Sequence, residues 1–190
     1  MLYTIAKGIG TVIFRVMFRF QIEGAKNVPS DGGLILCVNH KNGLDPILLA
    51  LAAKRQVCFI GKKELFENKF LGALYRKLGS FPVDRDATDM SAYRKSLDVL
   101  ARGDVLGIFA QGTRYSTDNS AKAGVALFAL KSGAPVVPVG ISSNYKFFSK
   151  VKVRFGEPMP LEEFRGKKIR TEILDEAKEK IMAKVFELVE

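Results

Sequence analysis

The chain has 190 residues, which suits one domain with a substantial hydrophobic core and makes a second domain unexpected. Its 47% hydrophobic and 26% charged residues exclude a protein with several membrane spans. The formal net charge of +10 indicates an anionic partner, and charge alone leaves nucleic acid, an anionic membrane surface and small phosphorylated substrates open. No RNP-like or helix-turn-helix pattern accompanies the charge, and we predict no nucleic-acid partner.

Residues 1–22 are predicted to form an amphipathic helix. Lys7, Thr11, Arg15 and Arg19 recur at every fourth position and form one polar stripe, while apolar residues fill the remaining surface. The charges interrupt the apolar run, so the segment matches neither a signal peptide nor a membrane span. A wide apolar face with a cationic edge is typical of a helix that lies on a membrane surface. The pattern also fits a terminal helix packed on the domain core, and the two interpretations differ only in what covers the apolar face.

Residues 23–190 are predicted to form one α/β domain, with a largely parallel sheet flanked by helices, because strand-like and helical patterns alternate. The helix over 62–78 is expected to break near Glu67 and Asn68. Proline cannot donate to a sheet ladder, so the prolines in 135–141 put that strand at a sheet edge or lie at strand ends. The predicted strands are 34–38, 57–60, 80–83, 105–110, 135–141 and 151–155, and the predicted helices are 46–54, 62–78, 91–101, 121–132 and the last twenty residues.

Residues that bind metals are scarce in this chain. It has one histidine and two cysteines, and the cysteines do not form a Cys-x-x-Cys pair. Cys37 and Cys58 both lie in apolar, strand-like runs. We therefore predict no metal site and two buried, reduced thiols in a cytosolic compartment.

The single histidine, His40, follows the predicted strand 34–38 and stands five residues before Asp45. Ligands bind at the carboxyl ends of strands in a parallel α/β sheet, so His40 is expected at the functional edge. A neutral imidazole can accept a proton, and it is a better general base when a carboxylate fixes its tautomer and stabilises the imidazolium. The turn over residues 41–44 can fold Asp45 back toward His40, which makes this pair the candidate catalytic site.

Both residues also have structural explanations. A single histidine at a strand end is commonly an ordinary surface or core residue. Asp45 followed by Pro46 is a typical helix start, with the aspartate as N-cap and proline at the first helical position. Capping and catalysis are compatible, because one carboxylate oxygen can cap the helix while the other faces His40.

The sequence offers little evidence for a nucleophilic side chain in the protein itself. It contains no Gly-x-Ser-x-Gly segment. Cys37 stands three residues before His40, so in an extended strand their side chains project to opposite faces. This favours direct attack by a substrate hydroxyl that His40 deprotonates.

The loop after the predicted strand 105–110 carries groups suited to a phosphate. Gly112 permits a tight turn, Thr113 offers a hydroxyl, and Arg114 offers a planar fork that matches a phosphate. Lys122, at the next predicted helix, can extend the cradle. Ordinary turn chemistry and surface ion pairs also account for these residues.

Two further cations follow predicted strands. Lys63 comes after the strand over 57–60, and Arg85 comes after the strand over 80–83. A solvated, charged helix start is an equally good explanation for the segment that contains Lys63.

The order of these segments resembles the 1-acyl-glycerol-3-phosphate acyltransferase family. The His-x4-Asp element alone is moderately specific, whereas the ordered set is strong, and it covers about residues 30–145. The resemblance rests on Asn39-His40, Asp45-Pro46, Gly61-Lys62-Lys63-Glu64-Leu65-Phe66, Val83-Asp84-Arg85, Phe109-Ala110-Gln111-Gly112-Thr113-Arg114 and Val136-Val137-Pro138-Val139.

The resemblance implies transfer of a fatty acyl group from a thioester, on coenzyme A or acyl carrier protein, to a glycerolipid hydroxyl. It makes His40 the general base and Asp45 its orienting partner, with no metal and no bound cofactor. It also implies a lysophospholipid acceptor and a peripheral or monotopic protein on the cytoplasmic face of a membrane, attached through the N-terminal helix.

The resemblance further implies which residues bind the acceptor. Arg114, with Arg85 or Lys63, would hold its phosphate. The other residues expected at the substrate are Gln111, Gly112, Thr113 and Lys122.

Gln111 departs from the family pattern, because the family usually carries Phe-Pro-Glu-Gly-Thr-Arg where this chain has Phe-Ala-Gln-Gly-Thr-Arg. Glutamine keeps the length and hydrogen-bonding capacity of glutamate but loses its charge. The substitution leaves two alternatives open: an acyltransferase for a different lysolipid or alcohol acceptor, and a non-catalytic protein that binds lipid or phosphate.

Overall fold

The computed structural model describes residues 2–84, 90–109 and 120–189, with side chains described from residue 124 onward in the last range. Six α-helices and seven β-strands lie within these residues. The helices are α1 Leu2–Met17, α2 Asp45–Ala52, α3 Lys69–Lys77, α4 Met90–Ala101, α5 Ser120–Ser132 and α6 Thr171–Glu187. The strands are β1 Arg19–Glu23, β2 Leu34–Val38, β3 Val57–Lys62, β4 Phe81–Val83, β5 Val105–Phe109, β6 Val136–Ser142 and β7 Lys150–Phe155.

The strands form one sheet in the order β1-β7-β6-β2-β5-β3-β4. Five strands, β2 to β6, run in one direction, and β7 pairs antiparallel with β6 and parallel with β1. The predicted α/β fold with a largely parallel sheet is therefore confirmed.

Each face of the sheet carries its own layer of helices. On β2, Ile35 and Cys37 pack with α4, α5 and α6, whereas Leu34, Leu36 and Val38 pack with α1 and α2. All five residues of β2 are fully buried. A strand covered on both faces has no polar side, which explains its unbroken apolar sequence.

The helix predicted over residues 1–22 is shorter in the structure. It ends at Met17, and Arg19–Glu23 form β1, which pairs with β7. The segment Arg-Phe-Gln-Ile-Glu alternates polar and apolar residues, which is the period of a strand. Pairing with β7 gives its backbone a ladder, and Glu23 forms ion pairs with Lys152 and Arg154 of β7, each at 3.1 Å.

Helix α1 leaves its wide apolar face exposed. The side that meets the domain includes Phe14, which is buried, and Lys7, whose ammonium group donates to the carbonyl oxygen of Ala53. The interpretation in which the domain core covers the apolar face is therefore wrong for this helix. Six apolar side chains are between 45% and 64% exposed, namely Leu2, Ile5, Ile9, Val12, Ile13 and Val16. Among the described residues, no helix has both the length and the hydrophobicity needed to cross a membrane.

The proline-containing strand β6 lies inside the sheet, between β7 and β2, and an edge position is wrong. The Pro138 carbonyl accepts a hydrogen bond from the Gly156 backbone N–H at 2.8 Å, so the backbone carbonyl and nitrogen of Pro138 face the β7 side of the strand. The β6–β7 ladder begins only at Val139, opposite Phe155. The missing N–H of Pro138 therefore falls just before the β6–β7 ladder. Pro138 is the third of the seven residues of β6, so a place at the strand end is also wrong for it, whereas Pro135 directly precedes the strand as expected.

The break predicted near Glu67 and Asn68 is confirmed, because a 3-10 helix over Lys63–Phe66 precedes α3. The Asn68 side chain caps α3 by accepting hydrogen bonds from the backbone N–H groups of Phe70 and Leu71 at 3.1 and 3.0 Å. An asparagine N-cap starts a new helix at this point instead of continuing the previous turn.

Several strand ends meet at one edge of the sheet. Strands β2, β3, β5 and β6 finish there, and β7 starts there because it runs in the opposite direction. The segment between β6 and β7, residues 143–149, therefore lies at the same edge as His40. The C-terminal end of α1 is also near, since the Phe148 backbone N–H donates to the Met17 carbonyl oxygen at 2.7 Å.

Candidate active site

The predicted pair of His40 and Asp45 is formed in the structure. His40 Nδ1 lies 2.8 Å from Asp45 Oδ2. The His40 side chain is 15% exposed and that of Asp45 is 1% exposed. The imidazole is therefore reachable from solvent, while its carboxylate partner is shielded behind it.

The carboxylate of Asp45 organises the loop that follows β2. Its Oδ2 accepts hydrogen bonds from the backbone N–H groups of Lys41 at 2.7 Å and Asn42 at 2.8 Å, in addition to the contact with His40. Its Oδ1 accepts a hydrogen bond from the Tyr145 hydroxyl. Burial alone would raise the pKa of Asp45, but the hydrogen bonds from His40, Tyr145, Asn42 and Lys41 outweigh it and lower that pKa.

The interpretation of Asp45 as a helix N-cap is wrong. The N-cap of α2 is Leu44, without a side-chain capping hydrogen bond, and Asp45 is the first residue of the helix. The backbone N–H groups that Asp45 binds belong to Lys41 and Asn42, which precede the helix. Pro46 does lie at the helix start, as expected.

This geometry fixes the tautomer of His40. Asp45 is an ionised acceptor, so His40 Nδ1 carries the proton and donates it toward Oδ2. The lone pair of a neutral imidazole is then on Nε2, which is the atom available to accept a proton. Phe109 packs against the His40 ring at a centroid distance of 4.6 Å, and Phe59 stacks on Phe109 at 6.0 Å, which restrains the orientation of the imidazole.

Tyr145 is a site residue that sequence reasoning missed. It stands 100 residues after Asp45, in the segment between β6 and β7, and its backbone is left-handed, with φ of 57°. Its backbone N–H donates to Ser143 Oγ at 2.9 Å. The run Ser142-Ser143-Asn144 is a turn signal, but no local spacing connects it with Asp45.

The two cysteines are free and buried, as predicted. Burial raises the pKa of the Cys37 thiol to about 12, so it remains protonated. Cys37 packs on the sheet face that carries α4 to α6, so it does not form a dyad with His40. Within the described part of the chain, no three His, Cys, Asp or Glu side chains lie close enough together to hold a metal ion.

The residues predicted to bind the acceptor are described only in part. Lys63 follows β3 at the sheet edge that carries His40, and its ammonium group lies 2.7 Å from Asp84 Oδ2. Lys122 is in α5, but its side chain is outside the described part of the structure. The other predicted binding residues, Arg85, Gln111, Gly112, Thr113 and Arg114, lie outside the described residues, so their roles remain predictions.

Known proteins are similar to this chain in sequence and in fold. The acyltransferase family model matches residues 19–142. The chain is 33% identical over 159 residues to a 1-acyl-sn-glycerol-3-phosphate acyltransferase of Bacillus subtilis, covering 80% of each protein. It is 29% identical over 174 residues to that of Streptococcus pneumoniae, covering 87% of this chain and 65% of the relative.

A solved structure agrees with these similarities. The crystal structure of the 1-acyl-sn-glycerophosphate acyltransferase from Thermotoga maritima matches with a TM-score of 0.72 and 25% identity, over 98% of this chain and 79% of that one. Shared sequence, shared fold and an assembled His40–Asp45 pair agree, and the chain belongs to the 1-acyl-sn-glycerol-3-phosphate acyltransferase family.

Proposed function

We propose that this protein transfers a fatty acyl group from an acyl thioester to the free hydroxyl of 1-acyl-glycerol-3-phosphate, which gives phosphatidic acid. The observation that carries the proposal is the contact of 2.8 Å between His40 Nδ1 and the buried carboxylate of Asp45. This contact leaves Nε2 as a proton acceptor at the edge of the sheet where parallel α/β proteins bind their ligands.

In the proposed reaction, His40 Nε2 removes the proton of the acceptor hydroxyl as its oxygen attacks the thioester carbonyl carbon. An ester C–O bond forms and the C–S bond breaks. The proton then passes from the imidazolium to the departing sulfur, so the products are the ester and the free thiol. Asp45 stabilises the imidazolium between these steps, because the hydrogen bonds that lower its pKa keep it ionised.

The acceptor phosphate is proposed to bind Arg114 together with Arg85 or Lys63. The position of Lys63 after β3, at the sheet edge that carries His40, supports this role. The ammonium group of Lys63 also contacts the carboxylate of Asp84, the residue that directly precedes Arg85 in the sequence. The proposed acceptor site also includes Gln111, Gly112, Thr113 and Lys122. The donor is proposed to be acyl-coenzyme A or acyl carrier protein, with no bound cofactor.

The protein is proposed to be peripheral or monotopic on the cytoplasmic face of a membrane, attached through α1. The exposed apolar face of this helix supports the proposal, because no described part of the domain covers it. Arg15 and the overall charge of +10 suit an anionic lipid surface.

A free-thiol release assay tests the reaction, with acyl-coenzyme A or acyl carrier protein as donor and lysophosphatidate as acceptor. We expect acceptor-dependent thiol release by the wild type and its loss in His40→Ala. Unchanged activity in His40→Ala would rule out the mechanism. Retained lipid binding without thiol release from any donor would instead support a non-catalytic relative.

A different acceptor is the second candidate, and Gln111 is the observation that favours it. If a carboxylate at this position orients an acceptor group in the family, an uncharged amide suits an acceptor with different charge or hydrogen-bonding groups. A panel of lysolipids and alcohols, assayed with one donor, separates this candidate from lysophosphatidate.

A further inference from the structure

Helix α3 lies on the same face of the sheet as α1 and α2. Val57 and Phe59 of β3 pack with the core cluster of α1 and α2, so Gly61, two residues on, faces the same side. The Phe66 ring covers Gly61 so closely that an added Cβ would come within 2.9 Å of it. Gly72 of α3 in turn packs against the Phe66 backbone.

The outer side of α3 is apolar and exposed. Phe70 is 88% exposed, the most of any large apolar side chain described, and Leu71 and Leu74 are 48% and 40% exposed. Phe70 and Leu74 project on the side of the helix opposite Gly72, which faces the domain, and Leu71 lies on the flank next to Leu74. With Leu65, which is 53% exposed in the preceding turn, they form what we call the α3 ridge.

The charges around the α3 ridge suit an anionic bilayer. Helix α3 itself contains three cations, Lys69, Arg76 and Lys77, and no acidic residue. The nearby acids, Glu64 and Glu67, lie in the turn before the helix. Apolar side chains that emerge between cations are typical of a helix lying in a lipid interface.

We propose that the α3 ridge is a second membrane-contact element, inserted into the same anionic bilayer as α1. This inference rests on the membrane attachment under the proposed function and extends it to a part of the chain far from α1 in sequence. The ridge begins directly after β3, at the sheet edge that carries His40. Contact through both helices therefore holds the active-site edge close to the lipid surface.

The chain contains no tryptophan, which makes a direct test possible. Phe70→Trp introduces a single indole on the α3 ridge, and Ile9→Trp introduces one on α1. Phe186→Trp is the matched control, because Phe186 is exposed and belongs to α6, which packs on the opposite face of the sheet. Each variant is mixed with vesicles of phosphatidylcholine and phosphatidylglycerol, and the emission maximum is recorded.

We expect the emission of Phe70→Trp and Ile9→Trp to shift to shorter wavelength with vesicles, and that of Phe186→Trp to stay unchanged. A shift in Ile9→Trp without one in Phe70→Trp overturns the α3 ridge alone. No shift in either variant overturns the membrane attachment as well. As a second measurement, we expect Phe70→Ser with Leu74→Ser to reduce vesicle partitioning by about tenfold; unchanged partitioning contradicts the inference.

A separate observation concerns the catalytic carboxylate. Three donors bind Asp45 Oδ2, whereas the described donor to Oδ1 is the Tyr145 hydroxyl. The carboxylate has no proton to give, so the tyrosine donates and thereby sets the rotation of the carboxylate plane. That plane in turn directs Oδ2 at His40 Nδ1.

We infer that Tyr145 is a positioning residue for the acyl transfer, acting on His40 through Asp45. This inference also rests on the proposed function. Tyr145→Phe removes one hydroxyl and keeps the ring. Tyr93→Phe is the control, because Tyr93 stacks on Phe128 at 5.6 Å on the other face of the sheet.

In Tyr145→Phe we expect kcat to fall about tenfold while KM stays within about twofold. We also expect the low-pH limb of the pH profile of kcat/KM, where the rate falls in acid, to move to higher pH. Without the Tyr145 donor, Asp45 attracts the imidazolium more strongly, and His40 must lose that proton to act. An unchanged kcat together with an unchanged limb overturns the inference. A wild type without thiol release overturns the proposed function itself.

Discussion

The side-chain amide of Asn39 takes the place of a peptide group beside Ile141. Its Nδ2 donates to the Ile141 carbonyl oxygen at 2.9 Å, and its Oδ1 accepts from the Ile141 N–H at 2.7 Å. The β2–β6 ladder ends at Val38 opposite Val139, so these backbone groups of β6 would otherwise lose their partner. Asn39 thus lets β2 leave the sheet one residue before His40 without an unsatisfied buried peptide group.

Replacing Asn39 with leucine is expected to lower the free energy of unfolding by about 2–4 kcal/mol, because two buried backbone groups lose their hydrogen bonds. Urea denaturation followed by circular dichroism measures the change. Activity should fall too, since the backbone that presents His40 loses its anchor. A stability equal to that of the wild type would contradict this, because it would mean that water or a shift of β6 replaces the hydrogen bonds of the Asn39 amide.

Asp45→Asn is expected to reduce kcat by about a thousandfold or more, with a smaller effect on KM. The amide keeps the size of the carboxylate but can neither fix the His40 tautomer nor stabilise the imidazolium. Thiol release at saturating acceptor provides the measurement. If Asp45→Asn retains more than about a tenth of wild-type kcat, Asp45 only supports the loop.

The stability of the protein should depend on the ionisation of Asp45 at low pH. Its folded pKa is lowered from the ordinary value of 3.8, so the carboxylate favours folding above that value and loses this effect as pH falls through the folded pKa. We expect the stability difference between wild type and Asp45→Asn, followed from about pH 5 down to about pH 2, to shrink below about pH 4. Denaturant midpoints across this range measure it, and a difference that grows in acid would contradict the lowered pKa.

Gln111→Glu is expected to change acceptor preference more than the overall rate. The substitution restores the carboxylate of the family pattern, which alters the charge three positions before the proposed phosphate-binding residue Arg114 in the sequence. We expect the ratio of kcat/KM for lysophosphatidate to that for an uncharged alcohol acceptor to change by about tenfold. Identical acceptor profiles for both proteins would mean that position 111 does not contribute to specificity.

Local sequence predicted the features whose causes are local. The strand Leu34–Val38 was predictable because an apolar run between turn signals has few alternatives, and the break before α3 because Asn68 is a strong N-cap. Residues 19–22 were predicted as helix because the apolar face of α1 runs into them without a break. Only the unpaired edge of β7, more than a hundred residues later, makes that segment a strand.

The sequence by itself determined the α/β fold and the proposed catalytic pair, since His40 and Asp45 are close in the chain and one turn brings them together. Tertiary structure alone decided what surrounds them. Tyr145 and Ile141 reach Asp45 and Asn39 across 100 and 102 residues, through strand order that no local spacing encodes. It also decided that α1 turns its apolar face outward, because Lys7 and Phe14 meet the domain on the narrow side of the helix.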